Sequence, residues 1–94
     1  MSDARLLVLV SLCDGPKHGY SIQRDIEEFA VVRLGPGTLY GAINTLERDG
    51  LIEQQTVTER RRPYRITPAG RCQLDLQIDL HERIRDRTAA VRAG

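Results

Sequence analysis

The residues best suited to chemistry lie between Gly35 and Ile66, in the run GPGTLYGAINTLERDGLIEQQTVTERRRPYRI. Arg60, Arg61 and Arg62 stand side by side in it. Three adjacent cations repel one another, so a fold gains nothing from them without an anionic partner. Guanidinium groups match phosphate oxygens in forked pairs. Upstream, Thr38, Gly41, Asn44, Thr45 and Arg48 recur at helical spacing, with Tyr40 at the edge of the same face. These side chains are small or polar. Asn can bond adenine at two points, a Thr methyl can touch thymine, and Gly41 allows close approach. A helix with that face, followed by a basic β-ribbon, suits nucleic acid: the helix enters a major groove while the ribbon touches flanking phosphates. An ordinary polar surface with a solvated tip is the alternative, and the arginine triplet weighs most against it.

Other chemistry is thin. Cys13 and Cys72 are far apart in sequence, without a C-x-x-C pair or a neighbouring His, which argues against zinc or a redox motif and for two buried free thiols. His18 fits a turn residue bonded to local backbone, with a phosphate contact at a helix start as the rival reading. His81 fits a surface or interface position. Tyr64 reads as a core residue with a satisfied hydroxyl. No Ser–His–Asp or paired-carboxylate arrangement stands out, so neither an enzyme, a metal site nor a cofactor is expected.

The chain has 94 residues, enough for one small domain with a modest core. Chains of this size often gain stability by dimerising. Net charge is only +1, but from Arg33 to Arg71 seven Arg face four acids, which leaves a local +3. With 4% aromatic residues and no Trp, a large aromatic ligand cage is not expected. The apolar run Leu6 to Val10 is too short to span a bilayer and follows no basic leader, so a cytoplasmic protein without membrane contact is expected.

The elements that position these residues follow from periodicity and stop signals. Asp3 can cap a first helix, Ala4 to Cys13, apolar enough to be largely buried and stopped by Gly15-Pro16. A second helix starts near His18 or Gly19, with Ile22, Ile26 and Phe29 as its inward stripe. After a connector with an extended Val31-Val32, Pro36 opens a third helix whose Leu39, Ile43 and Leu46 face inward. Gly50 ends it, with Leu51 folding back onto Leu46. Leu51 to Val57 and Pro63 to Ile66 suit strands, the second at an edge because of Pro63. Thr67 caps a last helix opened by Pro68. Leu74 to Leu80 alternates like a strand, yet the segment is too long for one, and Cys72, Leu76, Leu80, Ile84 and Val91 keep helical spacing. Leu74 and Ile78 add a second stripe that one domain cannot easily cover. Two stripes on one terminal helix argue for a homodimer, with Cys72, Leu76, Leu80, Ile84 and Val91 at the seam. The alternative is a single wide stripe packed on its own domain. The expected fold is mainly α with a two-stranded β wing (α+β). It is a winged helix-turn-helix over residues 1–67 with a long dimerisation helix over 68–94.

Several pieces together resemble the PadR-type transcriptional regulators: Gly15-Pro16 with His18-Gly19-Tyr20, Gly35-Pro36-Gly37-Thr38-Leu39-Tyr40, Leu46-Glu47 to Gly50-Leu51-Ile52, and Arg62-Pro63-Tyr64-Arg65-Ile66-Thr67 with Ala69-Gly70. The likeness covers about residues 4 to 72, and the short C-terminal part is similar to members with a single dimerisation helix. The resemblance implies a homodimer, usually a repressor, on an inverted-repeat operator in double-stranded DNA. It places Tyr20 and Tyr40 near the DNA backbone and the wing toward the minor groove. Lys17, Tyr20, Tyr40, Arg48, Arg60, Arg61 and Arg62 are then the expected phosphate contacts, and Thr38, Asn44 and Thr45 the base contacts. Some relatives release DNA on binding phenolic acids or planar drugs at the dimer interface, which implies a small-molecule effector. The terminal helix lacks Trp, Tyr and Phe, so stacking of a drug there is unsupported. Two departures stand out. Gly35 replaces a frequent Ser before the Pro-Gly-Thr-Leu-Tyr run, which removes a capping hydroxyl. Asn44 and Thr45 stand where relatives often carry basic residues. With the near-neutral total charge, this second departure motivates a rival reading as a protein-interaction module without operator binding.

Overall fold

The structure, a computed structural model, describes residues 2–94. Four helices and a two-stranded antiparallel sheet follow one another as α1 (Asp3–Leu12), α2 (Gly19–Ala30), α3 (Pro36–Arg48), β1 (Ile52–Gln54), β2 (Tyr64–Ile66) and α4 (Pro68–Ala93). Helix α1 lies at the centre, touching α2, α3, α4 and β2. Its Val8, Leu9 and Leu12 pack with Ile22 and Ile26 of α2, Leu39, Ile43 and Leu46 of α3, Ile52 of β1 and Leu74 of α4 in one core. This is the winged helix-turn-helix with a long terminal helix that the sequence pattern predicts.

Local details differ from expectation for identifiable reasons. Ser2, not Asp3, caps α1: its Oγ accepts from Arg5 N at 3.4 Å, and Asp3 falls in the first turn, where an acid still complements the helix dipole. Phe29 does not continue the buried stripe of Ile22 and Ile26 and is 44% exposed, one residue before α2 ends. Val31 is not extended. It takes a left-handed conformation (φ 53°), which costs a β-branched residue roughly 1–2 kcal/mol. Gln23 Nε2 donates to Leu34 O at 3.0 Å and ties the α2–α3 turn back onto α2.

Helix α3 ends as its sequence implies. Gly50 has φ 75°, Leu51 N donates to Leu46 O at 2.9 Å, and Gly50 N donates to Glu47 O at 3.1 Å, the paired bonds of a Schellman ending. The strands are shorter than predicted. Only Ile52↔Ile66, Glu53↔Arg65 and Gln54↔Tyr64 pair as a ladder, and beyond them Gln55 N to Pro63 O and Val57 N to Arg61 O hold the hairpin loosely. Pro63 has no N–H to extend the ladder. On its other side Tyr64 exchanges two backbone hydrogen bonds with Lys17, which fixes the wing to the α1–α2 turn.

The start of α4 is locked against the end of α3. Thr67 Oγ1 accepts from Gly70 N at 3.1 Å and donates to Gly50 O at 2.7 Å, while Thr67 N donates to Leu51 O at 3.1 Å. A Cβ at Gly70 would collide with the Leu51 carbonyl oxygen and lie 2.9 Å from Ile66 Cγ1, so only glycine fits there. Further along, Leu74 is in the core and Ile78 borders Leu6, Leu7 and Val10 of α1. Of the Leu74/Ile78 stripe the chain's own domain therefore covers Leu74, contrary to expectation, while Ile78 stays 42% exposed at its edge. Leu74 lies one turn past Gly70, the close approach that brings α4 down onto the domain. From Ile78 to Gly94 every residue is exposed, and at ~1.5 Å per residue α4 runs about 39 Å, well past the domain it starts on. Cys13 and Cys72 are free but exposed, not buried, since each sits at a helix end away from the core.

Candidate nucleic-acid interface

The open face of α3 comes directly from the pattern that builds its buried one. Leu39, Ala42, Ile43 and Leu46 are buried, and at about 100° per residue the opposite side carries Gly37, Gly41, Asn44 and Arg48. All four are exposed. Thr38 and Thr45 sit on one flank of that face, toward the N-terminus of α1, and Tyr40 on the other, toward α2. Thr38 is exposed, whereas Thr45 is half-buried and its Oγ1 donates to Gly41 O at 2.9 Å, so the hydroxyl proton is used within the helix. Gly37 is an addition to the residues expected on this face. It lies inside the Gly-Pro-Gly run and shares the angular position of Asn44, which is the signal that could have found it. A Cβ at Gly35, Gly37 or Gly41 would meet nothing within 4 Å, so no contact inside the chain requires these glycines. Gly35 caps α3 without a side-chain bond.

Gly19 is different. A Cβ there would lie 2.6 Å from the Tyr40 hydroxyl, so the first residue of α2 must be glycine for Tyr40 to lie across it. Tyr40 is half exposed and Tyr20, one residue into α2, is mostly exposed. The Arg24 guanidinium stands 6.0 Å from the Tyr20 ring centroid. Tyr20, Gln23, Arg24, Glu27 and Arg33 line a shallow hollow of about 220 Å³, and Arg33 Nε lies 3.7 Å from Glu27 Oε1. His18 precedes α2 as its cap residue, with no side-chain capping bond.

Lys17 is committed inside the fold instead of reaching outward. Its Nζ donates to the Ser11 carbonyl and to Asp14 Oδ1, and its side chain is only 18% exposed. Asp14 is held below the usual carboxylate range, first by the hydrogen bond from Lys17 and then by that ammonium's charge. Next to them the buried Ser11 donates to Asp25 Oδ2 at 2.7 Å. Lys17 thus positions the α1–α2 turn, and its ammonium is not free for a phosphate.

The wing tip has the opposite character. Thr58 Oγ1 accepts from Arg60 N at 3.3 Å and Arg61 N at 3.1 Å, which folds residues 58–61 into a tight turn. Arg60, Arg61 and Arg62 are exposed, and among the described residues none has a carboxylate within ion-pair distance. Arg65, by contrast, is paired across the ladder with Glu53. Arg48 lies beside Asp49, Nε to Oδ1 3.5 Å, on an exposed surface where such a pair contributes little. Tyr64 packs against the core at the wing base, and burial raises its hydroxyl pKa.

The seam residues predicted on α4 share a separate surface. Cys72, Leu76, Leu80, Ile84 and Val91 are all exposed, Leu76 and Val91 the most. Among the described residues there is no group of His, Cys, Asp and Glu able to hold a metal ion, and no helix is long and apolar enough to cross a membrane.

Comparison with known proteins agrees with this architecture. The model of the transcriptional regulator PadR-like family matches residues 8–76, from within α1 through the first turns of α4. The chain is 42% identical over 73 residues to the transcriptional regulator Rv3488 of Mycobacterium tuberculosis, covering 74% of this chain and 67% of that protein. It is 50% identical over 70 residues to an uncharacterized 37.1 kDa protein in transposon TN4556 of Streptomyces fradiae, where the match spans 74% of this chain but only 20% of the relative. In three dimensions it is similar to a PadR family transcription regulator from Clostridium difficile R20291, with a TM-score of 0.85 and 22% identity over 94% of this chain and 96% of that one. A family match that runs through the helix-turn-helix, the wing and the root of α4 is decisive: the chain belongs to the PadR-like family of transcriptional regulators.

Proposed function

We propose that this regulator binds double-stranded DNA as a homodimer and represses transcription by occupying an inverted-repeat operator. The observation that carries the reading is the wing tip, where among the described residues three exposed arginines have no carboxylate partner, together with an open α3 face that carries Gly37 and Gly41. In this reading α3 lies in the major groove, Asn44 and the Thr38 and Thr45 flank touch bases, and Tyr20, Tyr40, Arg48 and Arg60 to Arg62 hold phosphates. Lys17 is left out of the contact set because its ammonium is occupied. Residues 1–67 form the DNA-binding part and 68–94 the dimerisation helix. The exposed stripe Leu76, Leu80, Ile84 and Val91 supports pairing, since monomers rarely leave such a row open to water. A small-molecule effector would sit over α1, where Leu6, Leu7, Val10 and Ile78, rimmed by His81, Glu82 and Arg85, line a hollow of about 330 Å³, within the size range of ligand sites.

The test is a titration of the protein onto a DNA fragment carrying its own promoter at two salt concentrations, with the double variant Arg61→Ala/Arg62→Ala alongside. Each neutralised phosphate contributes about 0.9 to the log–log salt slope, so the double variant should lose roughly 1.8 per half-site, about 3.6 for the dimer. Salt-insensitive binding, or an unchanged slope in the variant, would refute the role of the wing. A stable complex with another protein together with no enriched inverted repeat in a genomic binding profile would favour an interaction module instead.

A further inference from the structure

We infer that the cleft between the N-terminus of α1 and the outer flank of α3 is a second phosphate site, in which Arg5 grips the DNA strand on the side of α3 away from Tyr40. The inference rests on the DNA-binding reading and extends it to residues outside the helix-turn-helix and the wing.

Ser2, Ala4, Arg5, Thr38, Gly41 and Thr45 line this cleft, with Ala42 at its floor, around an open volume of about 520 Å³. Arg5 is the only charged residue among them. It is half-buried, and among the described residues no carboxylate lies within ion-pair distance of it. Its Nε donates to Ser2 Oγ at 3.2 Å, which orients the guanidinium and leaves its two terminal nitrogens available to an anion. The nearest acid in sequence, Asp3, is on the other side of α1, where it lines a separate hollow with Leu6, Leu7, Ala30, Val32 and Leu34. The remaining lining is small: Ser2, Ala4, Gly41 and Ala42 leave room for a deoxyribose and its phosphate, and Thr38 adds a hydroxyl at the rim. A helix in a major groove has a sugar-phosphate backbone on each flank. Tyr40 stands on one flank of α3, against Gly19, and among the residues that line this cleft on the other flank Arg5 supplies the cation. Thr38 and Thr45 then stand between this backbone contact and the base-reading face around Asn44.

Arg5→Ala and Arg5→Lys would be compared with the parent protein by fluorescence anisotropy, on the promoter fragment and on a random-sequence duplex across a salt series. Arg5→Ala should weaken both by a similar factor of about ten per half-site, roughly a hundredfold for the dimer, the effect of removing one charged hydrogen bond in each half-site. Its salt slope should fall by about 0.9 per half-site, and Arg5→Lys should restore the slope. A set of promoter duplexes, each with one neutral methylphosphonate, adds a readout that altered folding does not mimic. The parent should show a penalty at one phosphate per half-site that vanishes in Arg5→Ala. An unchanged slope with identical interference profiles in parent and variant would overturn the inference while leaving the DNA-binding reading intact. Failure of the parent protein to bind either duplex would remove that reading and this inference with it.

Discussion

Replacing Gly41 with Ala should move folding and binding in opposite directions. Gly41 is in the interior of α3, where glycine is less favourable than alanine by roughly 0.5–1 kcal/mol. A Cβ there meets nothing within 4 Å, so no strain offsets the gain. For a domain of this size 1 kcal/mol shifts the thermal midpoint by roughly 4–8 °C, so the variant should melt about 2–8 °C higher. The same methyl would stand at the centre of the open face, between Gly37, Asn44 and Arg48. If that face seats against base edges, the helix must lift. Breaking one bidentate bond to a base then costs about 1–3 kcal/mol, roughly fivefold to over a hundredfold in affinity. Calorimetric melts and anisotropy titrations at matched protein concentration and fixed salt measure the two effects separately. Matched concentration matters because the midpoint of a dimer would depend on concentration. A higher midpoint with unchanged DNA affinity would refute the idea that glycine stands at 41 for the sake of an external surface.

The other predictions test the frame around the site. Gly70→Ala should cost about 3 kcal/mol or more, because its Cβ meets the backbone of Leu51, which cannot swing aside; a denaturant melt with the parental midpoint would contradict the packing. Leu76→Asp and Ile84→Asp should each sediment as a monomer while keeping helical circular dichroism, and two intact dimers would disprove the α4 seam. Asp14 has a depressed folded-state pKa, so its stabilising contribution is present above the unfolded value near 3.8 and is lost as pH falls through the folded value. Asp14→Asn should lower stability slightly at neutral pH, and that deficit should vanish as pH falls below about 4, which flattens the acid limb of a stability-against-pH curve; an unaltered acid limb would refute the Lys17–Asp14 pairing.

What is legible in the sequence is whatever repeats or punctuates. Leu39, Ile43 and Leu46 at helical spacing, Gly50 with Leu51 at the end of α3, and Thr67-Pro68 at the start of α4 each encode a local geometry that the fold adopts. The arginine triplet is readable because like charges in a row have no internal use. Partnership is not readable. Lys17 cannot be told from a free cation, since its engagement depends on the Asp14 carboxylate and on a carbonyl six residues back, at the end of α1. The division of α4 into a covered and an open stripe likewise depends on where Gly70 brings the helix down, a tertiary contact with Leu51 that periodicity does not encode. Arg5 escapes a reading of the sequence for the same reason: only the packing of α1 across α3 brings it beside Thr38 and Thr45. The strands are shorter than their composition suggests because three ladder pairs and a tight tip suffice when Lys17 anchors the wing base.

The joint at Gly50, Leu51, Thr67 and Gly70 leaves no slack between the last turn of α3 and the first turn of α4. In a pair joined along α4, the angle at which the two long helices cross would then fix how far apart the two α3 helices stand. Operators of this geometry place half-sites about 34–36 Å apart, one turn of the duplex. The crossing angle would then act as a measuring device, and a molecule wedged between two helices so paired would not have to touch DNA to change the distance that the protein accepts. Spacing between half-sites, more than any single base contact, would be the quantity such a molecule controls.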